Sequence, residues 1–212
     1  MNSSPDFKSR SDVHLVRKIW HFFGVIFIVI CYHNLPRPVA LQVLTVTAAI
    51  CIFGDVYRQR SSIFNRLVLS MMRFLMRENE KEGITGMTYM LIGVLIIVAI
   101  FPPSVVILSL LFLAVADPVA SYFGIRYGKD KLIGHKTLQG SMAAFFACMI
   151  VAAGYFLTHN MMTERILIVS ILAGLIGAVA EVFPVGNLDD NLVLPVVSSC
   201  LLWVVYFLFG GF

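Results

Sequence analysis

Seven long apolar runs, separated by short polar segments, dominate the chain. They lie near residues 19–35, 38–54, 84–101, 104–123, 138–158, 166–183 and 192–209. Each run is continuous rather than alternating, and each matches the roughly 17–25 residues that a helix needs to cross a bilayer. The pattern predicts an all-α integral membrane protein with about seven transmembrane helices.

The segment between the second and third runs, residues 56–80, mixes apolar and basic positions at helical spacing. Arg58, Arg66, Arg73 and Arg77 fall on one face of this predicted helix, and large apolar side chains cover the rest. Such a pattern is typical of an amphipathic helix that lies in the membrane interface and is attracted to anionic headgroups. We therefore expect one interfacial helix besides the spans.

Composition supports a membrane protein. Of 212 residues, 59% are apolar and 13% are charged, and the mean hydropathy is +0.88. Soluble domains have roughly 45–50% apolar and about 25% charged residues. Since no linker or repeat divides the chain, we expect a polar N-terminal segment, residues 1–18, followed by a single polytopic domain, residues 19–212.

The basic residues predict the orientation of the chain. If the N-terminus is cytoplasmic, fourteen of the sixteen Lys and Arg residues fall on the cytoplasmic side, and only Arg37 and Arg165 lie outside. Positive charge concentrates on that side of membrane proteins. We expect a cytoplasmic N-terminus, an extracytoplasmic C-terminus and a functional site on the cytoplasmic face.

The end of the fourth run and the polar segment after it carry the first candidate site. Asp117 lies about two turns before the end of that run, where an ionisable group is costly unless it faces a cavity or a partner. Ser121 follows one turn later on the same helix face. A structural carboxylate paired with a neighbouring helix is the alternative for Asp117.

Residues 124–137 combine glycines with basic residues before the next helix begins. The relevant positions are Gly124, Arg126, Gly128, Lys129, Lys131, Gly134 and Lys136, followed by Thr137, Gly140 and Ser141. Glycines let backbone amides approach an anion, lysines neutralise its charge and a helix N-terminus offers free N–H groups. The segment predicts a phosphate-binding loop, although its glycine spacing differs from that of a P-loop and no strand precedes it.

A second, acidic cluster lies between the sixth and seventh runs and contains Glu181, Asp189, Asp190 and Asn191. Capping of the last helix would account for one of these residues. Adjacent carboxylates and an amide near a polyphosphate also suit Mg²⁺ or another divalent cation. We expect Asp189, Asp190 and Asn191, together with Asp117, to bind a metal ion, with capping as the alternative.

These clusters resemble the signature blocks of the membrane family that holds dolichol kinase, phytol kinase and the CTP-dependent diacylglycerol kinase. The matching stretches are ADPVASYFGIRYGKDKLIGHKTLQGSMAAF and DDNLVLPVVSS, supported by RKIWH, DVYR and RENEKEGITGMTYMLIG, so the likeness runs from Arg17 to Ser199. Ala116 stands where the family usually has Gly, and Gln139 where many members have Glu.

The resemblance implies an integral membrane lipid kinase that transfers the γ-phosphoryl group of a nucleoside triphosphate, typically CTP, to the hydroxyl of a lipid alcohol. Carried over by position, the nucleotide-binding residues are Asp117, Ser121, Gly124, Gly128, Lys136, Thr137, Gly140 and Ser141, to which the loop adds Lys129 and Lys131. The catalytic candidates are Asp117, Lys136, Asp189 and Asp190, and any of the three aspartates could act on the acceptor hydroxyl. Further family positions without an assigned role are Arg17, Lys18, His21, Asp55, Arg58, Arg77 and Glu80.

The expected partners are a lipid alcohol, a nucleoside triphosphate and the bilayer, and no nucleic acid. Two other classes stay open from the sequence. A membrane cytidylyltransferase that forms a CDP-lipid would use the same nucleotide and metal, and a transporter would also have several spans. Diacylglycerol, a polyprenol and phytol are alternative acceptors, and the sequence does not decide the oligomeric state.

Overall fold

The computed structural model describes residues 15–72, 75–77, 80–186 and 188–211. This part of the chain forms eight α-helices, which confirms the all-α prediction. They are α1 (Leu15–Asn34), α2 (Arg37–Arg60), α3 (Ser62–Met72), α4 (Gly86–Ile100), α5 (Pro103–Tyr127), α6 (Leu138–Thr158), α7 (Ile166–Val182) and α8 (Asp190–Phe209). Most of the predicted polar segment, residues 1–18, lies outside the described residues.

Six helical segments are long and apolar enough to cross a membrane: α1, α2, α5, α6, α8 and the segment Thr163–Val182, in which a short 3₁₀ turn precedes α7. The remaining predicted run forms α4, which has 15 residues and a length of about 22 Å. Because the hydrocarbon core is about 30 Å thick, α4 is shorter than a full span. Thr85 caps this helix and therefore sets its start at Gly86.

Helix α5 is the centre of the bundle. Val105, Leu108 and Phe112 are fully buried, and α5 packs against α1, α6, α7 and α8. Ser109 of α5 accepts a 2.7 Å hydrogen bond from the Ser199 hydroxyl of α8. Since lipid is as apolar as these side chains, close packing and such interhelical hydrogen bonds hold the helices together.

The polar ends of several helices meet at one end of the bundle. Asn191 at the start of α8 donates to the carbonyl of Gly86 at the start of α4. Lys136, just before α6, contacts Asp190 in the first turn of α8. The starts of α4, α6 and α8 therefore lie together, as the alternating direction of successive helices requires.

The predicted interfacial helix over 56–80 is shorter in the structure. Residues up to Arg60 continue α2, and the separate helix α3 covers Ser62–Met72. Ile63, Leu67 and Met71 of α3 are exposed, as expected for an amphipathic helix at a membrane surface. Location of α3 in the interface stays a prediction.

The basic residues of this region do not share one helix face, contrary to the prediction. Arg58 belongs to α2 and is 2% exposed, because it binds the carboxylate of Asp55. Arg77 lies beyond the end of α3. Arg73 is outside the described residues, so only Arg66 of the four lies on α3.

Candidate active site

The glycine-rich loop is shorter than predicted, because α5 continues to Tyr127 and leaves residues 128–137 as the connection to α6. Lys131 and Thr137 pair as an isolated antiparallel bridge, which closes the loop on itself. The chain reverses at Gly134, whose φ of +57° lies in the left-handed region that favours glycine.

The side chain of Gln139 fixes the base of this loop. Its Oε1 accepts hydrogen bonds from the backbone N–H groups of Lys129, at 3.0 Å, and of Asp130, at 3.3 Å. Its Nε2 donates to Asp130 Oδ2 over 2.7 Å. An amide can accept and donate hydrogen bonds at once, so Gln139 binds both the backbone N–H groups of the loop and the carboxylate of Asp130.

The first turn of α6 lies close against α5. Thr137 caps α6 and accepts a hydrogen bond from the N–H of Gly140. A Cβ at Gly140 would lie 2.6 Å from the carbonyl oxygen of Ala120, so only glycine permits this approach. Ser141 donates to the Thr137 carbonyl over 3.0 Å.

A cavity of about 490 Å³ opens between the loop, α5, α6 and the α7–α8 connection. Its size is within the roughly 300–1,000 Å³ of small-molecule sites. Nine of the ten predicted nucleotide-binding residues line it: Asp117, Ser121, Gly124, Gly128, Lys131, Lys136, Thr137, Gly140 and Ser141. Lys129 is the exception and is exposed on the loop.

Lys136 connects three elements at the base of the cavity. Its Nζ donates to Glu181 Oε1 over 2.6 Å and to Asp190 Oδ2 over 3.1 Å. Burial alone would lower the pKa of Lys136, but the carboxylates of Glu181, Asp117 and Asp190 outweigh it and hold the pKa above its ordinary value. Lys136 is therefore a charged ammonium group at neutral pH.

Asp117 of α5 lines the same cavity and is surrounded by basic groups. The basic residues that act on its carboxylate are Lys136, His21, Arg77 and Lys18. His21 Nε2 lies 3.2 Å from the carbonyl oxygen of Leu113, one turn before Asp117. Lys18 Nζ is buried and has no hydrogen-bond partner among the described residues. Two residues of α1, Lys18 and His21, thus lie close enough to act on Asp117.

Asp55 and Arg58 hold the segment before α4 in place. Asp55 accepts hydrogen bonds from Arg58 Nε, at 2.8 Å, from the Thr88 hydroxyl, at 2.7 Å, and from the backbone N–H of Thr85, at 2.9 Å. Arg58 also donates to the carbonyl of Glu80 over 2.7 Å. These two family positions do not line the cavity.

Arg17, Glu80 and Arg77 extend this network toward the cavity. Arg17 Nη2 lies 2.7 Å from Glu80 Oε1, and both side chains are largely buried. The other carboxylate oxygen of Glu80 accepts from the backbone N–H of Arg77 over 3.3 Å. Arg77 itself lines the cavity, so this network positions one basic side chain of the site.

The four predicted metal-binding residues do not converge on one point. Asp117 and Asp190 line the cavity, but Asp189 caps α8 and binds Arg77 at 3.1 Å. Asn191 is buried and donates to the backbone of Gly86. Among the described residues, no group of three or more His, Cys, Asp and Glu side chains is arranged to hold a metal ion.

Glu181 is an acidic cavity residue that is missing from the predicted site. It is 4% exposed and lies in the last turn of α7, where its Oε2 atom is buried without a hydrogen-bond partner among the described residues. The sequence signal for it is an ionisable residue in the last turn of an apolar run, which marks functional positions in membrane proteins. Its contact with Lys136 depends on how α6 and α7 pack.

Comparison with known proteins gives a consistent picture. No family model matches the chain, and no solved structure is significantly similar. CTP-dependent diacylglycerol kinase 1 of Schizosaccharomyces pombe is 38% identical over 162 residues, which cover 72% of this chain and 74% of that protein. The proteins of the same name from Eremothecium gossypii and Saccharomyces cerevisiae are 29% and 28% identical, covering 94% and 92% of this chain and 69% and 73% of theirs. With the likeness to the Schizosaccharomyces pombe enzyme extending over about three quarters of both chains, this protein belongs to the family of CTP-dependent diacylglycerol kinases.

Proposed function

We propose that this protein is a CTP-dependent lipid kinase, which transfers the γ-phosphoryl group of CTP to the hydroxyl of a membrane lipid alcohol. The observation that carries the proposal is the cavity of about 490 Å³ that collects nine of the ten residues predicted to bind a nucleotide. Diacylglycerol is the acceptor we expect first, because three similar proteins are named for it.

The basic side of the cavity would receive the triphosphate. Lys136, Lys131 and Arg77 line it, and the first turn of α6 adds backbone N–H groups beside Thr137. Phosphoryl transfer needs positioning and neutralisation of charge more than covalent chemistry. These groups supply both, and Lys136 would contribute most because it lies among carboxylates that keep it charged.

Magnesium or another divalent cation fits the acidic side of the cavity. Asp117 and Asp190 both line it, and Mg²⁺ is commonly held by one or two carboxylates together with substrate phosphates. The metal would offset the repulsion between these carboxylates and the triphosphate. Asp189 and Asn191 would act indirectly, by holding the start of α8 in place.

The site would face the cytoplasm. The loop residues Lys129, Lys131 and Lys136 belong to the basic residues that the orientation prediction places inside, since positive charge marks the cytoplasmic side. A lipid alcohol in that leaflet would present its hydroxyl at the level of the cavity, and its tails would remain in the membrane. The lipid would then reach the cavity from the membrane, and the nucleotide would reach it from the cytoplasm.

A matrix of nucleotides and acceptors tests this function. The purified protein in lipid is given γ-labelled CTP, ATP, UTP or GTP with diacylglycerol, a polyprenol or phytol, and Mg²⁺ is supplied or chelated. We expect Mg²⁺-dependent label transfer from CTP to diacylglycerol, with CDP as the second product. Release of pyrophosphate with formation of a CMP-bearing lipid would instead identify a cytidylyltransferase. No turnover in any combination, with folded protein, would favour a transporter.

A further inference from the structure

We propose that Glu181 is the residue that accepts the hydroxyl proton of the lipid acceptor. One of its carboxylate oxygens holds Lys136, and the other orients the attacking hydroxyl. This inference rests on the proposed kinase function and assigns a catalytic role that the sequence analysis gave to no glutamate. It is carried by the two oxygen atoms of Glu181 and by the residues that flank it.

The two oxygen atoms of Glu181 have different surroundings. Oε1 accepts a hydrogen bond from Lys136 Nζ over 2.6 Å. Oε2 is buried and lacks a partner among the described residues, although Glu181 is only 4% exposed. A buried carboxylate oxygen without a donor is costly, so a partner that arrives with the substrates would remove that cost.

The missing partner of Oε2 must be a hydrogen-bond donor or a cation. Ionised phosphate oxygens are acceptors, so the triphosphate held by Lys136 cannot satisfy it. The hydroxyl of a lipid alcohol is a donor, and it must approach the γ-phosphate for transfer to occur. Because Lys136 and Oε1 are in contact, a hydroxyl on Oε2 would lie next to a phosphate on Lys136.

The chain around Glu181 is apolar, as a lipid substrate requires. Val182, the next residue, and Pro184 both line the cavity. Phe183, between them, is 54% exposed, and Val185 is 38% exposed. The cavity lining beside Glu181 thus continues into exposed apolar side chains, while the loop contributes glycines and lysines together with Ile133.

The aspartates of the site are less suited to this role. Asp189 caps α8 and binds Arg77, and it does not line the cavity. Asp190 accepts from Lys136 through Oδ2 and has a side chain that is 25% exposed. Asp117 lies on α5 among several basic groups, which oppose the uptake of a proton by its carboxylate. Glu181 alone combines the contact with Lys136, near-complete burial and an adjoining apolar wall.

The lipid oxygen forms a bond to the γ-phosphorus as its O–H bond breaks, and the proton moves to Glu181 Oε2. The bond between the γ-phosphorus and the bridging oxygen breaks, and CDP leaves with the electron pair. When the products leave, Glu181 releases the proton to water.

The variant Glu181→Gln tests this step, because its amide oxygen can still accept from Lys136 but the side chain can no longer take a proton. We expect kcat to fall by about 10²–10⁴, while CTP affinity, measured by binding without acceptor, changes by less than about threefold. The fall of kcat at acidic pH should also disappear. Glu181→Asp keeps a carboxylate and should restore part of kcat.

Two matched variants separate proton transfer from the positioning of Lys136. Asp190→Asn removes the negative charge of the other Lys136 partner together with a proposed metal ligand, and we expect it to weaken Mg²⁺-dependent CTP binding together with kcat. Glu164→Gln changes an exposed carboxylate before α7 and should match the wild type. A purely positioning role for Glu181 predicts that Glu181→Gln loses CTP affinity to a similar degree as kcat.

Three results would overturn the assignment of Glu181. One is a Glu181→Gln variant with kcat within about threefold of the wild type. Another is a loss confined to CTP affinity, and a third is recovery at high Mg²⁺, which would make Glu181 a metal ligand. If Glu181→Gln fails to fold, an unchanged kcat and pH profile in Glu181→Asp overturns it. A wild type that phosphorylates no lipid alcohol refutes the kinase function itself, and this inference with it.

Discussion

Arg77 Nη1 lies 3.1 Å from Asp189 Oδ2, and this ion pair joins the segment before α4 to the start of α8. The other oxygen of Asp189 accepts a 3.0 Å hydrogen bond from the N–H of Asn191 and caps the helix. Asp189 therefore has a structural use for each carboxylate oxygen. Its neighbour Asp190, which lines the cavity, is the aspartate of this pair that can meet a substrate.

Two substitutions at Asp189 separate its two structural interactions. Asp189→Asn keeps a good helix cap and weakens the ion pair with Arg77, whereas Asp189→Ala removes both. Loss of a cap costs about 1 kcal/mol, so we expect the Ala variant to have the lower melting temperature in detergent. Neither should weaken Mg²⁺-dependent CTP binding as much as Asp190→Asn does. If Asp189→Asn lost more Mg²⁺-dependent CTP binding than Asp190→Asn, Asp189 would be a metal ligand.

Much of the site could be predicted because its residues are close in sequence. Asp117 through Ser141 span one helix end, one loop and one helix start, so local structure alone brings them together. Glu181 is different, because its contact with Lys136 joins residues 45 positions apart and depends on helix packing. The face of Arg58 was predicted wrongly for a related reason: its guanidinium donates to the carbonyls of Glu80 and Lys81, which lie 22 and 23 positions away in the sequence.

Lys136 has a structural and a functional contribution, and a double variant separates them. Lys136→Ala leaves the carboxylate of Glu181 buried without its cation, which costs up to about 3–5 kcal/mol. Exposure of 25% of the Lys136 side chain reduces this cost. We expect Lys136→Ala to lower turnover on the order of 10²–10³ and to lower thermal stability.

The double variant Lys136→Ala/Glu181→Gln should regain stability without regaining CTP binding, as measured by thermal unfolding and nucleotide titration. Lys129→Ala is the matched control, because Lys129 is exposed and does not line the cavity. Lys131→Ala should have an intermediate effect, since Lys131 lines the cavity but is exposed. Normal CTP binding by Lys136→Ala would refute the phosphate-binding role of the loop.

The hydrogen bonds of Gln139 predict how a glutamate at that position would affect the loop. In Gln139→Glu, a carboxylate would face Asp130 Oδ2, to which Gln139 Nε2 now donates over 2.7 Å. Loss of one such hydrogen bond costs about 0.5–1.5 kcal/mol, so CTP affinity should fall by about two- to tenfold. Faster hydrogen exchange over residues 128–137 should accompany it. Adding Asp130→Asn restores a donor and should reverse both effects; no reversal would contradict this explanation.

The raised pKa of Lys136 predicts how its ion pairs depend on pH. Because the folded-state pKa lies above the ordinary value of 10.5, the ion pairs stabilise the fold fully below about pH 10.5 and lose this effect only as the pH rises through the folded-state pKa. We expect the stability difference between the wild type and Lys136→Met to stay constant from about pH 7 to pH 10. Thermal unfolding across this range measures it, and a decline centred below pH 10 would contradict the charged state of Lys136.

The direction of α8 predicts on which side of the membrane the C-terminus lies. Helix α8 begins at Asp190 beside the cavity and has 20 residues, which give it a length of about 30 Å, enough to reach the other surface. With a cytoplasmic cavity, a C-terminal tag should therefore be extracytoplasmic. In a background without the four native cysteines, Lys129→Cys should react only with reagent on the cytoplasmic side, and Glu164→Cys, between α6 and α7, only with reagent on the outside. Labelling of Lys129→Cys and the C-terminal tag from the same side would contradict the passage of α8 across the bilayer. If all three sites were instead labelled from the side opposite to the one expected, the fold would stand and its orientation in the membrane would be reversed.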